Sequence, residues 1–255
     1  MTAETIALVS DLHLGPESAD PLFDAFEETA ERMVAGDPDE LLVLGDVVAG
    51  AAPGADRRLL GRFVDRLDDL PIPYRILPGN HDVDHLDLDA FEDFVGTDRW
   101  RIDADEDRVY LDSSAPRLSG SRGEVDDGQL DALRDAVADF EDAVVFVHHP
   151  VHYRPVGDNY WFGEHPEEAF CGNKRAVREI LEPAADRIAA VVNGHLHDWH
   201  YDDVDGLAHF TVDSFNKRRN PRGETGAFAL LRTGEATVLE HYSGDGTEHR
   251  VRLSE

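Results

Sequence analysis

Five short motifs supply the residues of this chain whose types could carry out metal chemistry. Each motif follows a short apolar run and contains Asp, Asn or His. In chain order they are Asp11-Leu12-His13, Gly45-Asp46, Gly79-Asn80-His81-Asp82, His148-His149-Pro150 and Gly194-His195-Leu196-His197. Carboxylates and neutral imidazoles are the ligands that suit Mn, Fe and Zn. The motifs therefore predict a metal site that is assembled from five separate segments.

Each motif on its own has an ordinary structural explanation. Asp or Asn after a strand is most often a turn former or a helix cap. The dipeptide Asn193-Gly194 fits a type I′ hairpin turn equally well, and a single histidine at a strand end is more often a satisfied polar residue than a ligand. These separate explanations do not account for five strand ends in succession that each deliver such a residue, so the set as a whole favours metal ligation.

Strands and helices must alternate if these motifs are to meet at one edge. Apolar runs predict strands, and segments with helical spacing of apolar residues predict helices. The predicted strands are 6–9, 41–44, 74–77, 144–147 and 189–192, and the predicted helices are 21–35, 56–70, 126–138 and 174–186. This order predicts βαβ units around a central sheet, where ligands bind at the carboxyl ends of the strands.

Three segments depart from that alternation. Residues 101–111 and 199–252 alternate as strands without helices, which predicts a second, more antiparallel sheet. Residues 151–172 are rich in Gly, Pro and aromatic side chains and predict a long excursion that caps one end of the sheet. The sequence contains no evident linker or repeat, so we expect a single domain over residues 1–255.

Composition narrows the class of protein further. No apolar run approaches the roughly 18 residues of a membrane helix, and the first one, 6–9, leads straight to Asp11, as a strand would and a signal peptide would not. Cys171 is the only cysteine, which excludes an internal disulfide and a cysteine-based metal site. We expect a cytoplasmic protein without a membrane partner.

The charge balance is strongly acidic. Asp and Glu number 54 against 24 Lys and Arg, which gives a formal charge of −30, and only Lys174 and Lys217 are lysines. Because the acids are spread through patterned segments, we interpret them as the solvated surface of a protein from a salt-loving organism, where salt screens their repulsion. The same charge makes binding of extended nucleic acid unfavourable.

The ordered set of five motifs resembles the calcineurin-like metallophosphoesterases over roughly residues 5 to 200. The resemblance implies an α/β fold, a four-layer α/β/β/α sandwich of two mixed sheets flanked by helices. It also implies two metal ions. By this resemblance Asp11, His13 and His197 hold the first metal, Asn80, His148 and His195 hold the second, and Asp46 bridges them. His148 is preferred to its neighbour His149 because the family's His-x-Pro motif places the ligand first.

The same resemblance assigns catalytic roles. His81 matches the family's catalytic histidine, which assists the leaving group, and Asp82 is expected to orient it. Two metal ions about 4 Å apart lower the pKa of a bridging water and hold a phosphoryl oxygen for in-line attack. The implied function is hydrolysis of phosphate esters by a metal-bridging hydroxide, with Mn, Fe or Zn as cofactor. The implied partner is a small phosphate ester such as a nucleotide.

A narrower resemblance points to the cyclic-nucleotide-phosphodiesterase-like branch. It rests on 111–113, 123–125 and 129–130, and it is weakened by Ala49, which stands where many relatives carry an acid three residues after the bridging aspartate. This resemblance favours phosphodiesters. A phosphomonoesterase, a nuclease acting on short or single-stranded ends, and a metal-free interaction scaffold on the same fold remain alternatives.

Two further features bear on substrate binding. Trp161, within the aromatic run 160–162, is positioned in the sequence to stack on a substrate base, although packing of the excursion on the body is the commoner use of such residues. Arg218 and Arg219 belong to the one basic cluster, which also contains Lys217 and Arg222. Arginine forks match phosphate oxygens, and a solvated loop is the equally weighted alternative.

Overall fold

A computed structural model describes residues 3–216, 218, 224–246 and 248–252. Within these ranges twelve strands form two six-stranded sheets. The strands are β1 (Glu4–Val9), β2 (Glu40–Val43), β3 (Tyr74–Ile76), β4 (Arg101–Asp103), β5 (Arg108–Leu111), β6 (Ala143–Val147), β7 (Ile188–Asn193), β8 (His200–Val204), β9 (Leu207–Thr211), β10 (Phe228–Thr233), β11 (Val238–Tyr242) and β12 (Glu248–Arg252). The strand orders are β12-β11-β10-β1-β2-β3 and β4-β5-β6-β7-β9-β8.

Both sheets mix parallel and antiparallel pairs. Strands β1, β2 and β3 run parallel, and β10 continues the sheet antiparallel to β1. In the second sheet β5, β6, β7 and β9 run parallel, while β4 and β8 are antiparallel edge strands. The five motifs follow β1, β2, β3, β6 and β7, so they all leave the carboxyl ends of parallel strands.

Helices cover the outer face of each sheet. The α-helices are α1 (Ala19–Val34), α2 (Pro53–Asp68), α3 (Leu88–Val95), α4 (Asp127–Ala136) and α5 (Lys174–Leu181). Aspartates begin two of them: Asp87 accepts a hydrogen bond from the Ala90 backbone N–H, and Asp126 accepts one from that of Gln129. None of the helices in the described part of the chain is long and apolar enough to cross a membrane.

Three apolar layers make up most of the core, and a smaller cluster, which includes Phe162 and Phe170, lies largely within the excursion 151–172. Strand β1 shows how the sequence builds the layers. Successive side chains of a strand point to opposite faces. Ile6 and Leu8 pack between the two sheets, whereas Ala7 and Val9 pack under α1 and α2. The third layer lies between the second sheet and α4 and α5. The protein is therefore the predicted α/β/β/α sandwich of two mixed sheets flanked by helices.

Some predicted elements were wrong. Residues 101–111 and 199–252 do not form a separate antiparallel sheet; their strands extend the edges of both sheets, because each edge strand finds a partner already in place. The predicted helix over 174–186 ends at Leu181 and continues as a 3₁₀ helix, Glu182–Arg187, with Pro183 in its first turn. Asn193-Gly194 is not a hairpin turn, because it ends β7 at the site.

Candidate metal centre

The first half of the centre consists of Asp11, His13 and His197. All three are buried, and their candidate ligand atoms and that of Asp46 lie within 4.8 Å of one another. His13 Nε2 is 3.0 Å from His197 Nε2 and 3.6 Å from Asp11 Oδ1, and His197 Nε2 is 3.1 Å from the same oxygen. Two imidazoles and carboxylates that converge in this way form a donor set suited to a transition metal.

The predicted ligands of the second half are Asn80, His148 and His195. The rings of His148 and His195 lie 5.1 Å apart, and Asn80 lines the same cavity as His195. His148 Nδ1 donates to the Leu44 carbonyl at 2.6 Å, and His195 Nε2 donates to the Glu168 carbonyl at 3.1 Å. Each imidazole is thus oriented through one nitrogen, which leaves the other available, as is usual for metal-ligating histidines. No described residue is a hydrogen-bond partner of the buried His148 Nε2 or of Asn80 Oδ1.

Those two unpartnered atoms test whether a metal ion fits this half. A buried polar atom without a partner costs about 1–3 kcal/mol, and such atoms are rare in native proteins. A bound cation is the kind of partner that the carbonyl oxygen of Asn80 and the imidazole nitrogen of His148 would each accept. The donor set and its orphaned atoms therefore fit a metal ion.

Asp46 lies between the two halves. Its Oδ2 is 3.6 Å from His13 Nε2 in the first half and 3.6 Å from His148 Nε2 in the second. Its Oδ1 accepts a hydrogen bond of 2.8 Å from the His81 backbone N–H, which fixes the carboxylate. This is the position from which one carboxylate can serve two ions.

His149 is close to the second half, but its two nitrogens are engaged elsewhere. Nδ1 is 2.9 Å from Ser113 Oγ, and Nε2 donates to the Ser121 carbonyl at 2.7 Å. Its ring packs 4.4 Å from that of His195. Although the candidate ligand atoms of His148, His149 and His195 lie within 4.8 Å of one another, the contacts of His149 are those of a structural neighbour.

Glycines in the motifs make room for this packing. A Cβ at Gly79 would lie 2.2 Å from Asp46 Oδ1, and one at Gly194 would lie 1.9 Å from Ser10 Oγ. Any side chain at either position would push the ligand loops apart. Glycine is therefore required before Asn80 and before His195, because the backbone at those positions lies close to neighbouring loops.

Most of the candidate ligands also have a left-handed backbone, which is uncommon for residues other than glycine. The residues are Asp11 (φ 56°), His13 (φ 46°), Asp46 (φ 54°), His195 (φ 68°) and His197 (φ 56°). Non-glycine residues in this region cost free energy and persist where the surrounding structure holds them, which is common at functional sites.

Burial and the mutual charges of the site shift its pKa values. Burial lowers the pKa of His13 to about 4 and that of His149 to about 3, so both imidazoles are neutral at pH 7. Burial also opposes protonation of His148, but the carboxylate of Asp46 outweighs it and raises the pKa to about 9. For Asp46, burial is outweighed by the imidazoles, His148 first, which hold its pKa well below the ordinary value. Asp46 thus favours a positive charge at His148, whereas burial holds the pKa of His195 well below its ordinary value.

A cavity of about 160 Å³ opens beside these residues. Trp161 and Phe162 form its aromatic wall, and their rings lie 6.1 Å from the His197 ring and 4.8 Å from the His195 ring, respectively. The excursion 151–172 thus faces the predicted ligands. Arg218 is exposed and does not line this cavity. Arg219, Lys217 and Arg222 lie outside the described residues.

Comparison with known proteins gives the family. The family model for the calcineurin-like phosphoesterases matches residues 4–199. The chain belongs to this family. It is therefore a metallophosphoesterase, a hydrolase of phosphate esters.

Individual relatives agree with this membership. The chain is 28% identical over 205 residues, 74% of this chain and 68% of the relative, to the 3′,5′-cyclic adenosine monophosphate phosphodiesterase CpdA of Pseudomonas aeruginosa. A dimetal phosphatase from Danio rerio shares the fold with a TM-score of 0.70 at 18% identity, covering 98% of this chain and 99% of that one. GAP50, the anchor in the inner membrane complex of Plasmodium, does so with a TM-score of 0.65 at 12% identity, covering 99% and 90%.

The predicted role of Asp82 in this phosphoesterase was wrong. Its carboxylate does not orient His81, because Oδ1 accepts from the Val48 backbone N–H at 3.0 Å and Oδ2 accepts from that of Gly79 at 2.9 Å. Asp82 is buried and ties two motif loops together. Burial, and then the charge of Asp46, raise its pKa to about 7. The carboxylate beside the His81 ring belongs instead to Asp84.

Several residues that support the centre were missed from the sequence. Ser10 Oγ donates to Asp11 Oδ2 at 2.5 Å, and Ser214 Oγ donates to the Asp11 carbonyl at 2.9 Å. Asn216 Nδ2 donates to the Leu12 carbonyl at 3.1 Å. Ser214 and Asn216 are about 200 residues distant in the chain from the loop that they brace, so only Ser10, which adjoins a motif, carried a local signal.

Proposed function

We propose that this phosphoesterase is a dinuclear metal-dependent phosphodiesterase whose substrate carries a nucleoside. In this proposal Asp11, His13 and His197 hold one ion and Asn80, His148 and His195 hold the other. Asp46 serves both ions. The ions are Mn, Fe or Zn, because histidine and carboxylate donors suit these metals. The 255 residues form one domain, and 151–172 is its cap.

Asp46 and His81 have separate roles in the proposed reaction. Bound metal ions supply Lewis acidity and lower the pKa of water. Asp46 is held by the His81 backbone N–H, so its carboxylate keeps its place between the halves. The His81 ring packs edge-on against the His13 ring at 4.9 Å and lines the cavity. From that position His81 donates a proton to the oxygen of the leaving group.

The aromatic wall is the observation that carries the choice of a diester. A diester has one negative charge and a second organic group, which Trp161 can contact by stacking. The described residues that line the cavity include Glu168 and Asp46 but neither Lys nor Arg. A doubly charged monoester would gain more from a cationic clamp. The relative that hydrolyses 3′,5′-cyclic AMP supports the same choice.

One kinetic comparison tests this function. We expect hydrolysis of bis-p-nitrophenyl phosphate to exceed that of p-nitrophenyl phosphate when Mn, Fe or Zn is added, with no turnover in metal-free protein. Trp161→Ala should raise KM for a nucleotide diester about fivefold or more, since stacking on a base contributes roughly 1–3 kcal/mol. Tyr153→Ala is the matched control, because Tyr153 is exposed on the same excursion and does not line the cavity.

The competing phosphatase function makes the opposite prediction. If Arg218→Ala with Arg219→Ala were more damaging than Trp161→Ala, and monoesters were the faster substrates, the basic cluster would be the phosphate clamp and the diester proposal would fail. The metal-free scaffold alternative predicts no turnover with any metal. The complete set of seven donors argues against it, because a scaffold needs none of them.

We also propose that the protein works in the cytoplasm of a salt-loving organism. The formal charge of −30 and the presence of only two lysines support this setting. At roughly molar salt the Debye length falls to about 3 Å, so repulsion among the surface acids is screened. The Tm of metal-saturated protein should therefore rise steeply from dilute buffer to molar KCl. A flat Tm over that range would contradict the proposal.

A further inference from the structure

A three-residue chain of contacts leads from the catalytic histidine to the surface. His81 Nδ1 lies 3.3 Å from Asp84 Oδ2, and the other oxygen of that carboxylate forms an ion pair with Arg117. The Asp84 backbone N–H also donates to the His81 carbonyl at 3.3 Å. Within the part of the chain that the structure describes, Nδ1 of His81 has no hydrogen-bond partner in its present orientation. A small turn of the ring would direct its N–H to Asp84.

The backbone nearby is shaped to admit this carboxylate. Gly50 has a left-handed backbone with φ +64°, and a Cβ there would lie 2.2 Å from Asp84 Oδ2 and 3.0 Å from His81 Nδ1. Any other residue at position 50 would therefore displace the pair. The preceding residue, three positions after Asp46, is Ala49. Position 49 therefore supplies no carboxylate to His81.

We propose that Asp84, fixed by Arg117, is the positioning residue of His81. It accepts the N–H of Nδ1, so that the imidazolium presents its Nε2–H to the cavity in one orientation. After that proton passes to the leaving-group oxygen, the neutral ring keeps its proton on Nδ1. A neighbour of a catalytic imidazole sets the tautomer through the hydrogen bond that it accepts. Asp84 acts only through His81, and this role rests on the proposed function of His81 as the proton donor.

Arg117 matters because it restricts the carboxylate. Asp84 is mostly buried, with 18% of its side chain exposed, whereas the Arg117 side chain is 43% exposed. The guanidinium is held on a separate loop, where residue 117 bridges to residue 123. One oxygen of Asp84 is thereby occupied, and the other is left to face the histidine. The contact couples a surface loop to the orientation of the ring.

The test uses leaving groups of different basicity, because a poor leaving group needs the donated proton and p-nitrophenolate does not. Asp84→Asn keeps the size of the side chain and removes its charge. We expect kcat for 3′,5′-cyclic AMP to fall about 10–100-fold, with kcat for bis-p-nitrophenyl phosphate within about twofold and metal content unchanged. Asp93→Asn, an exposed site on α3 with the same change of charge, is the matched control.

A second readout needs no turnover. In protein labelled with ¹⁵N-histidine, the imidazole signals of His81, assigned by their loss in His81→Ala, should report proton on Nδ1 in the wild type. In Asp84→Asn the balance should shift toward Nε2–H. Arg117→Met should show a weaker form of both effects, the loss of kcat and the shift of tautomer. Arg117→Lys should lie closer to the wild type, because it keeps a cation beside Asp84.

The outcomes separate this inference from the proposed function. Suppose that His81→Ala loses more activity on the substrate with the poorer leaving group. The role of Asp84 would then be overturned if Asp84→Asn lost activity equally on both substrates. It would also be overturned if Asp84→Asn lost activity on neither substrate and left the tautomer of His81 unchanged. If His81→Ala itself loses activity equally on both substrates, the assignment of His81 as proton donor fails. Absence of turnover in wild-type protein with every metal would overturn the proposed function instead.

Discussion

The two halves of the candidate metal centre are built in different ways. In the first half the donor atoms contact one another: His13 with His197 at 3.0 Å, and His197 with Asp11 at 3.1 Å. In the second half the outer nitrogens of His148 and His195 are tied to backbone carbonyls, and the inner atoms His148 Nε2 and Asn80 Oδ1 have no partner among the residues that the structure describes. The Nε2 atoms of the first half therefore have partners, although Nδ1 of His13 and of His197 has none among the described residues, whereas the inner donor atoms of the second half are themselves unpartnered.

This difference separates two ways of preparing a metal site. An ion that enters the first half must break the contacts among His13, His197 and Asp11. Each of these side chains then exchanges a contact with another ligand for a contact with the ion. An ion that enters the second half removes an unsatisfied state that costs about 1–3 kcal/mol per buried atom. We therefore expect loss of a second-half ligand to affect one ion, and loss of Asp46, which contacts both halves, to affect both.

The largest effect is expected from Asp46→Ala. Because Asp46 Oδ2 is 3.6 Å from a histidine of each half, its removal should lower the metal content from about two ions per chain to below one and abolish turnover. Elemental mass spectrometry after metal loading measures this. Asp24→Ala, at an exposed site on α1, is the control and should keep both ions. Unchanged stoichiometry in Asp46→Ala would show that the two halves do not share a ligand.

A smaller effect distinguishes His148 from His149. His148→Ala should remove one ion of two, because its inner nitrogen is free. His149→Ala should keep both ions with affinity reduced about 10–100-fold, the typical effect of losing a residue that supports a ligand. Metal titrations of the two variants give the comparison. Loss of a whole ion only in His149→Ala would reverse the assignment of these neighbouring residues.

The smallest effect is expected from Ser10→Ala in the first half. Ser10 Oγ donates to Asp11 Oδ2 at 2.5 Å and holds that carboxylate. Since the first-half ligands also hold one another, we expect metal affinity to fall by no more than about tenfold at unchanged stoichiometry. Ser119→Ala, at an exposed site, is the control. A loss as large as that of His148→Ala would show that the first half is not self-supporting.

Much of the fold could be predicted from the sequence because its signals are local. Apolar runs located the central strands of both sheets, and helical spacing located α1, α2, α4 and α5. The sheet to which β10, β11 and β12 belong could not be predicted, because strand alternation reveals a half-buried strand and not its partner. The helix end at Leu181 was missed, although Pro183 was the available sign of a break.

For the site, types of residue were predictable and orientations were not. The motifs named a set of donors that the structure brings together, since strand ends on one edge must meet. The carboxylate beside His81 was predicted as Asp82 and is Asp84, because adjacent residues in a turn point in different directions and spacing alone does not give them. Arg117 and Ser214 come from distant segments, so their roles required the tertiary structure.

The left-handed backbone at five candidate ligands has a consequence for the evolution of this site. Such a conformation costs a non-glycine residue of order 1–3 kcal/mol, and the usual remedy is glycine, which adopts it freely. Glycine cannot replace the candidate ligands without loss of a donor side chain. The positions are Asp11, His13, Asp46, His195 and His197. Activity and stability are therefore opposed at these positions. A descendant that abandoned metal binding could place glycine there and keep a more stable fold.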